Sequence, residues 1–125
     1  MPLEVVTTNR IPKSPNPFSL GIKAGGFLFV SGQVGKDANG KVLAGLPEQT
    51  RQTLENLKIV IEAGGGSLSQ VVKATIYMTD ITRLPEVNEI YRTYFTGTLP
   101  ARVTVEVRKL GGTAEIEIDA IVALD

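Results

Sequence analysis

In the run Ala101-Arg102-Val103-Thr104-Val105-Glu106-Val107, valine alternates with arginine, threonine and glutamate. A strand sends successive side chains to opposite faces, so this pattern specifies a β-strand with one valine face and one polar face. Pro100 fixes the backbone just ahead of it and gives the strand a defined start. A second alternating run, Glu115-Ile116-Glu117-Ile118-Asp119-Ala120, follows after a glycine-containing gap. The two runs predict an antiparallel hairpin turning through residues 109–113. With Thr104 set opposite Glu117, Arg102 faces Asp119 and Glu106 faces Glu115. One cation then stands among carboxylates on a single sheet face. The plain reading of such a face is solvated cross-strand charge pairs; the sharper one is a site built on Arg102.

The rest of the chain supplies a sheet and its cover. Residues 3–7 are a short extended candidate. Residues 11–19 hold Pro12, Pro15 and Pro17 and predict a stiff loop ending in Phe18, which is either a core anchor or the wall of a pocket. A brief strand over 19–23 reaches Gly25-Gly26, a pair suited to a tight turn. Residues 27–33 form a strong strand whose two parities, Phe27/Phe29 and Leu28/Val30, are both apolar, so both of its faces require cover. Gly32 inside it marks a bulge or a close approach to the backbone. Asp37 to Gly40 is a turn.

Residues 47–63 predict a first helix, with Pro47 in its first turn, Gly64 just past its end and Thr50, Leu54, Leu57 and Ile61 as the buried stripe. The three glycines from Gly64 to Gly66 follow a helix and lack a Gly-Lys-Ser/Thr, which marks helix termination rather than a phosphate loop. A strand over 71–78 divides into Val72, Ala74, Ile76 and Met78 on one face and Val71, Lys73, Thr75 and Tyr77 on the other. A second helix over 84–95, capped by Thr82, carries a stripe of Leu84, Val87, Tyr91 and Tyr94 or Phe95. Asn88 lies beside that stripe and needs a partner for its amide if buried.

Composition narrows the function. At 125 residues the chain is expected to be one domain, residues 1–125. Its 13 basic and 13 acidic residues cancel. This counts against nucleic acid, which selects a basic surface. There is no cysteine and no histidine, so no disulfide or thiol nucleophile exists, and a transition-metal site is not expected. Acid–base chemistry must come from Asp, Glu, Lys, Tyr or held water. The first residues lack a signal-peptide pattern and no apolar run reaches spanning length; a cytoplasmic protein without membrane contact is expected.

The element order places each helix as a crossover between strands, and both helices belong on the same face of one mixed sheet. The other face, semi-apolar through Phe27, Phe29 and Ile121, then needs cover from another subunit, and homo-oligomers are usually cyclic. A site holding Arg102 and Glu117 on that face would lie between chains.

Several segments together resemble the RidA (YjgF-type) reactive intermediate deaminases: Val30-Ser31-Gly32-Gln33, residues 72–80, Val87-Asn88, residues 91–95, residues 100–107 and residues 116–121. The resemblance spans nearly the whole chain. It implies an α+β, chorismate-mutase-like fold, a mixed sheet with two helices on one face, assembled as a homotrimer with clefts between subunits. It implies hydrolysis of enamine and imine intermediates such as 2-aminoacrylate to 2-oxo acids and ammonia, with no metal or organic cofactor. Carried over by position, Arg102 binds the substrate carboxylate, Glu117 orients water and moves protons, the backbone at Thr104 helps hold that water, Gly32 lies against the substrate and Phe18 walls the pocket. Thr104 stands where many members have cysteine, Phe18 where many have tyrosine, and Gly111 where many have proline. The alternatives are a non-catalytic binder or sensor of small carboxylates, an RNA-directed activity such as translation inhibition, and a holdase.

Overall fold

The computed structural model describes residues 2–125. The chain forms strands β1 (Glu4–Val6), β2 (Gly21–Ala24) and β3 (Phe27–Val34), helix α1 (Leu46–Ala63), strand β4 (Val71–Met78), helix α2 (Leu84–Tyr94), and strands β5 (Ala101–Glu106) and β6 (Ile116–Ala123). All six strands lie in one sheet in the order β1-β2-β3-β6-β4-β5. Among the described residues only the β4–β5 pair is parallel. Gly25 and Gly26, at φ of 60° and 84°, make the β2–β3 turn in the left-handed region that glycine enters without cost.

Both helices pack on one face, as the crossover rule requires. The parities of β3 resolve accordingly: Leu28 and Val30 are buried under the helices, while Phe27 and Phe29 remain 42% and 45% exposed on the other face. From α1, Thr50, Leu54, Leu57 and Ile61 are all buried against the sheet, meeting Leu28, Ile76, Ile116 and Ile118. In β4 a register shift between Val71 and Lys73 corrects the expected partition of faces. Val71 is buried with Ala74, Ile76 and Met78, and Val72 turns outward. The expected cap of α2 also differs. Arg83 holds the capping position, and Asp80 accepts from Thr82 N at 3.1 Å to cap a short 3-10 turn, Ile81–Arg83, that leads into the helix.

The expected β5–β6 hairpin does not form. β5 pairs only with β4, in parallel, and β6 enters the sheet between β3 and β4. The reason is a division of labour between the two runs. β6 offers Ile116, Ile118, Ala120 and Val122 on one face, all buried, and pairs on both sides as a central strand must. β5, opened by Pro100 and carrying exposed Arg102 and Glu106, has the character of an edge. The α2 crossover sets β5 outside β4, which leaves the inner side of β4 for β6.

Candidate functional site

Among the described residues, two separate clefts hold the candidate residues. The first forms where β3 bulges. Val30 pairs with Ala120 and Gln33 with Ile118, so Ser31 and Gly32 together span the single position of Asp119. At Gly32 a Cβ would meet the Glu117 side chain, with Cδ at 2.8 Å and Cγ at 3.0 Å and the carboxyl oxygen nearer still. Both sequence readings of Gly32 therefore hold: it sits in a bulge, and its bare backbone makes room for the carboxyl of Glu117. Ser31 Oγ donates to the Ser19 carbonyl at 2.5 Å, which ties the bulge to the proline-rich loop. Phe18 at the end of that loop is 52% exposed. It is no core anchor. It walls a cleft of about 810 Å³ together with Pro12, Pro15, Gly32 and Glu117.

Buried amides on α1 brace the strands around this cleft. Asn56 Nδ2 donates to the carbonyls of Val34 and Lys36 at 3.0 and 2.9 Å, pinning the end of β3. Gln49 Oε1 accepts from Glu115 N at 2.7 Å, which positions the chain two residues before Glu117. Glu117 titrates above the usual carboxylate range, first because burial disfavours its charge and second because the Asp119 carboxylate lies close. Asp119 Oδ2 accepts from Tyr77 Oη at 3.0 Å. Burial and then that bond to Asp119 push the Tyr77 phenol up. A carboxyl displaced toward neutrality, beside open space, is suited to both giving and taking a proton.

The second cleft lies at the opposite edge. Arg102 aligns with Ala74 of β4, whose side chain is buried under the helices, so Arg102 points to the helix side. Its Nη1 donates to Asn88 Oδ1 at 2.9 Å, and its Cζ stands 5.0 Å from the centre of the Tyr91 ring. Asn88 and Tyr91 sit three residues apart on α2 and so share one strip of its surface. Tyr91 is itself buried against Phe95, ring centres 4.4 Å apart, which gives the platform under Arg102 a fixed place. Among the described residues Arg102 takes part in no ion pair. It faces a pocket of about 230 Å³ whose walls include Leu99 and Pro100. Thr104, two residues along the same side of β5, has its hydroxyl buried with no protein partner, as does Tyr91.

The five candidate residues thus divide. Phe18, Gly32 and Glu117 share one cleft; Arg102 and Thr104 belong to the helix side of the far edge. The expectation that Arg102 and Glu117 share a face within one chain is corrected. β4 separates their strands, Glu117 aligning with Tyr77 and Arg102 with Ala74, one on each face. Asn88, flagged by its need for a partner, finds it in Arg102. Tyr91 was expected to be core alone. It is core and also the ring beneath the guanidinium, a double role that its spacing from Asn88 foreshadows. Ser31, Tyr77 and Asp119 carry no assigned role in the sequence reading, although all three lie in the segments that match the family; Tyr77 and Asp119 also lie on the polar parities of their alternating strands.

This layout has close counterparts. A family model described as Endoribonuclease L-PSP matches residues 8–124. The chain belongs to that family, the RidA/YjgF family. A RutC family protein from Pyrococcus horikoshii is 46% identical over 120 residues, 94% of this chain and 95% of that one. A mouse protein named 2-iminobutanoate/2-iminopropanoate deaminase is 37% identical over 94% of this chain and 89% of its own length. The solved structure of RidA from the Antarctic bacterium Psychrobacter sp. PAMC 21119 superposes with a TM-score of 0.93 at 31% identity, covering 97% and 99% of the two chains. The α+β fold with two helices on one face of a mixed sheet is that of these RidA neighbours.

Proposed function

We propose that the protein hydrolyses small 2-imino acids and their enamine tautomers to 2-oxo acids and ammonia, in a homotrimer whose Arg102 pocket on one protomer meets the Glu117 cleft of the next. The observation that carries this reading is the state of Arg102. A guanidinium held by an amide oxygen and an aromatic face, with no carboxylate partner among the described residues, opens onto a pocket. That is a carboxylate receptor, since the planar fork offers two parallel charge-assisted hydrogen bonds. The open sheet face supports the assembly: Phe27, Phe29 and Val103 leave 42%, 45% and 45% of their surface uncovered there. The deaminase name of the mouse relative supports the chemistry.

The reaction needs little beyond position. With the substrate anion on Arg102, Glu117 protonates the imine nitrogen, and the iminium carbon takes water. The ionised Glu117 accepts that water's proton and gives it to the nitrogen of the carbinolamine. The nitrogen leaves as ammonia while Glu117 recovers a proton from the hydroxyl, which closes to the carbonyl. One carboxyl whose pKa burial and Asp119 raise above its ordinary value can serve as proton donor and acceptor in turn. The gain comes from holding water near an already electrophilic carbon, about 3–3.5 Å away. The Thr104 backbone assists in holding that water, and Gly32 and Phe18 border the reacting group.

The test is release of 2-oxo acid from imines generated by a serine or threonine dehydratase. The unmutated protein accelerates release over buffer, and Arg102→Ala lowers kcat/KM by about 10- to 100-fold, the worth of a charge-assisted pair, with the fold intact by circular dichroism. No acceleration by the unmutated protein would sink the reading. Saturable 2-oxo acid binding without turnover would mark a carboxylate binder instead. The endoribonuclease description of the family is not carried over: the net charge is zero and histidine is missing. RNA cleavage is expected to be absent after full purification.

A further inference from the structure

The Arg102 pocket holds a second cation. On α2, Asn88, Tyr91 and Arg92 stand at i, i+3 and i+4 and so form one strip of the helix surface. Arg92 lines the same pocket of about 230 Å³ as Arg102, and none of the lining side chains is acidic. Elsewhere in the helical layer, Arg51 is held by Glu48 at 2.6 Å and Arg83 by Glu86 at 2.8 Å. Neither Arg92 nor Arg102 has such a partner among the described residues. A basic residue in the last turn of a helix complements the helix dipole, which accounts for Arg92 being basic but not for its sharing a pocket with a second uncompensated guanidinium. Two like charges facing one small space repel, and an anion between them removes that repulsion.

We infer that Arg92 and Arg102 together select substrates with two carboxylates, so that the preferred guests are 2-imino and 2-oxo diacids of four or five carbons. This rests on the reading of Arg102 as the carboxylate receptor and names the substrate class of that site. Arg102 takes the carboxylate beside the reacting carbon and Arg92 takes the distal one. The space is of the right order: at ~30 Å³ per water the pocket corresponds to about seven or eight waters, comparable to the ~10 covalently bonded, hence more closely spaced, non-hydrogen atoms of a five-carbon 2-oxo diacid. Arg92 is exposed, so its contribution is modest and sensitive to salt.

The experiment is calorimetric titration of 2-oxoglutarate and 2-oxobutanoate into the unmutated protein, Arg92→Gln and Arg102→Ala, at low and at high salt. The diacid is expected to bind the unmutated protein about five-fold more tightly than the monoacid at low salt, and that ratio shrinks as salt rises. Arg92→Gln brings the ratio to about one. Arg102→Ala weakens both. A merely structural role for Arg92 would weaken both acids together and leave the ratio intact. That outcome, or equal affinities in the unmutated protein, overturns the inference. If the imine of 2-oxobutanoate is hydrolysed at an Arg102-dependent rate and only the diacid preference is missing, this inference alone fails. If neither acid binds and no imine is turned over, the deaminase reading fails with it.

Discussion

The two faces of the sheet are built from the same strands by opposite rules. The covered face is almost wholly aliphatic, with Leu28, Val30, Ile76, Met78, Ile116, Ile118 and Val122 meeting α1 and α2. The open face mixes Phe29, Ile121 and Val103 with Lys73, Thr75, Tyr77, Glu117 and Asp119, residue by residue along the same strands. Every alternation in β4 and β6 therefore separates a side chain that folds the protein from one that equips it. Folding is confined to one face, which leaves the other to carry a raised-pKa carboxyl and uncovered aromatics without loss of the core. The clefts do not both follow that division, since the Arg102 pocket lies on the helix side and the Glu117 cleft at the open face. Each forms at a break in the regular ladder, one at the β3 bulge and one at the β5 edge.

The largest expected effect tests the covered face. Ile118→Ala removes a fully buried side chain beneath α1 and should cost about 2–4 kcal/mol, with a fall in Tm of roughly 10 °C. Ile121→Ala, three residues along on the open face, should cost an isolated chain less than about 1 kcal/mol. Chemical denaturation at low protein concentration measures both, and equal losses would mean that the open face contributes to the chain's own core. Phe29→Asp carries the contrast into assembly. It should leave the covered core folded while shifting sedimentation from the proposed trimer to a monomer. A trimer that survives a charge in the middle of that face would place the subunit contact elsewhere.

Much of this was legible in the sequence because periodicity reports burial. The span of β4, the stripe of α1 and the shared side of the two helices all follow from alternation, helical spacing and crossover handedness. The pairing of β5 was not legible. Alternation fixes which residues share a face but says nothing about which strand lies alongside, and the short gap between the two C-terminal runs suggested a hairpin that β4 instead keeps apart. The signal against it was present: Pro100 and the charges of residues 101–106 mark an edge, whereas Ile121, sharing a parity with the carboxylates, marks a strand needing cover on both faces. At the site, alternation flags Arg102, the proline-rich loop flags Phe18 and the strand interior flags Gly32, while resemblance supplies their roles and those of Glu117 and Thr104. Their division between two clefts depends on register, which composition and spacing do not encode. Val71 and Val72 exchanged faces for a similar reason, since a one-residue slip reverses every side chain beyond it.

Gly32→Ala separates function from folding within the open cleft. The atoms a Cβ would meet belong to the end of the Glu117 side chain, which can swing aside. Gly32 has no positive φ, so alanine brings no backbone strain. Stability should therefore change by less than about 1 kcal/mol. Glu117 would be displaced from its place over the bulge, and imine hydrolysis should fall at least about tenfold, since small displacements of a catalytic group are costly. A variant with normal turnover would show that the carboxyl need not occupy the position it has beside Gly32.

The smallest effect expected is the stability of Glu117→Gln, and its sign is the informative part. Burial and the Asp119 charge raise the folded-state pKa of Glu117 above its ordinary value of 4.5. Between that ordinary value and the raised one, the folded chain holds a proton that the unfolded chain has released. Stability contributed by this residue therefore falls as pH rises through the window and stays lost above it. Glutamine cannot ionise and escapes the loss. At a pH below the ordinary value the two proteins should melt together. At neutral pH the glutamine variant should be the more stable, by a small margin because solvent screens a half-buried group. It should also be the less active, because the proton carrier is gone. A glutamine variant that is less stable at neutral pH would mean that the ionised carboxyl is held by a favourable partner. The Arg102 guanidinium of an adjoining protomer is the partner the trimer would bring, so measuring the difference above and below the dissociation concentration separates the chain's own electrostatics from those of the assembly.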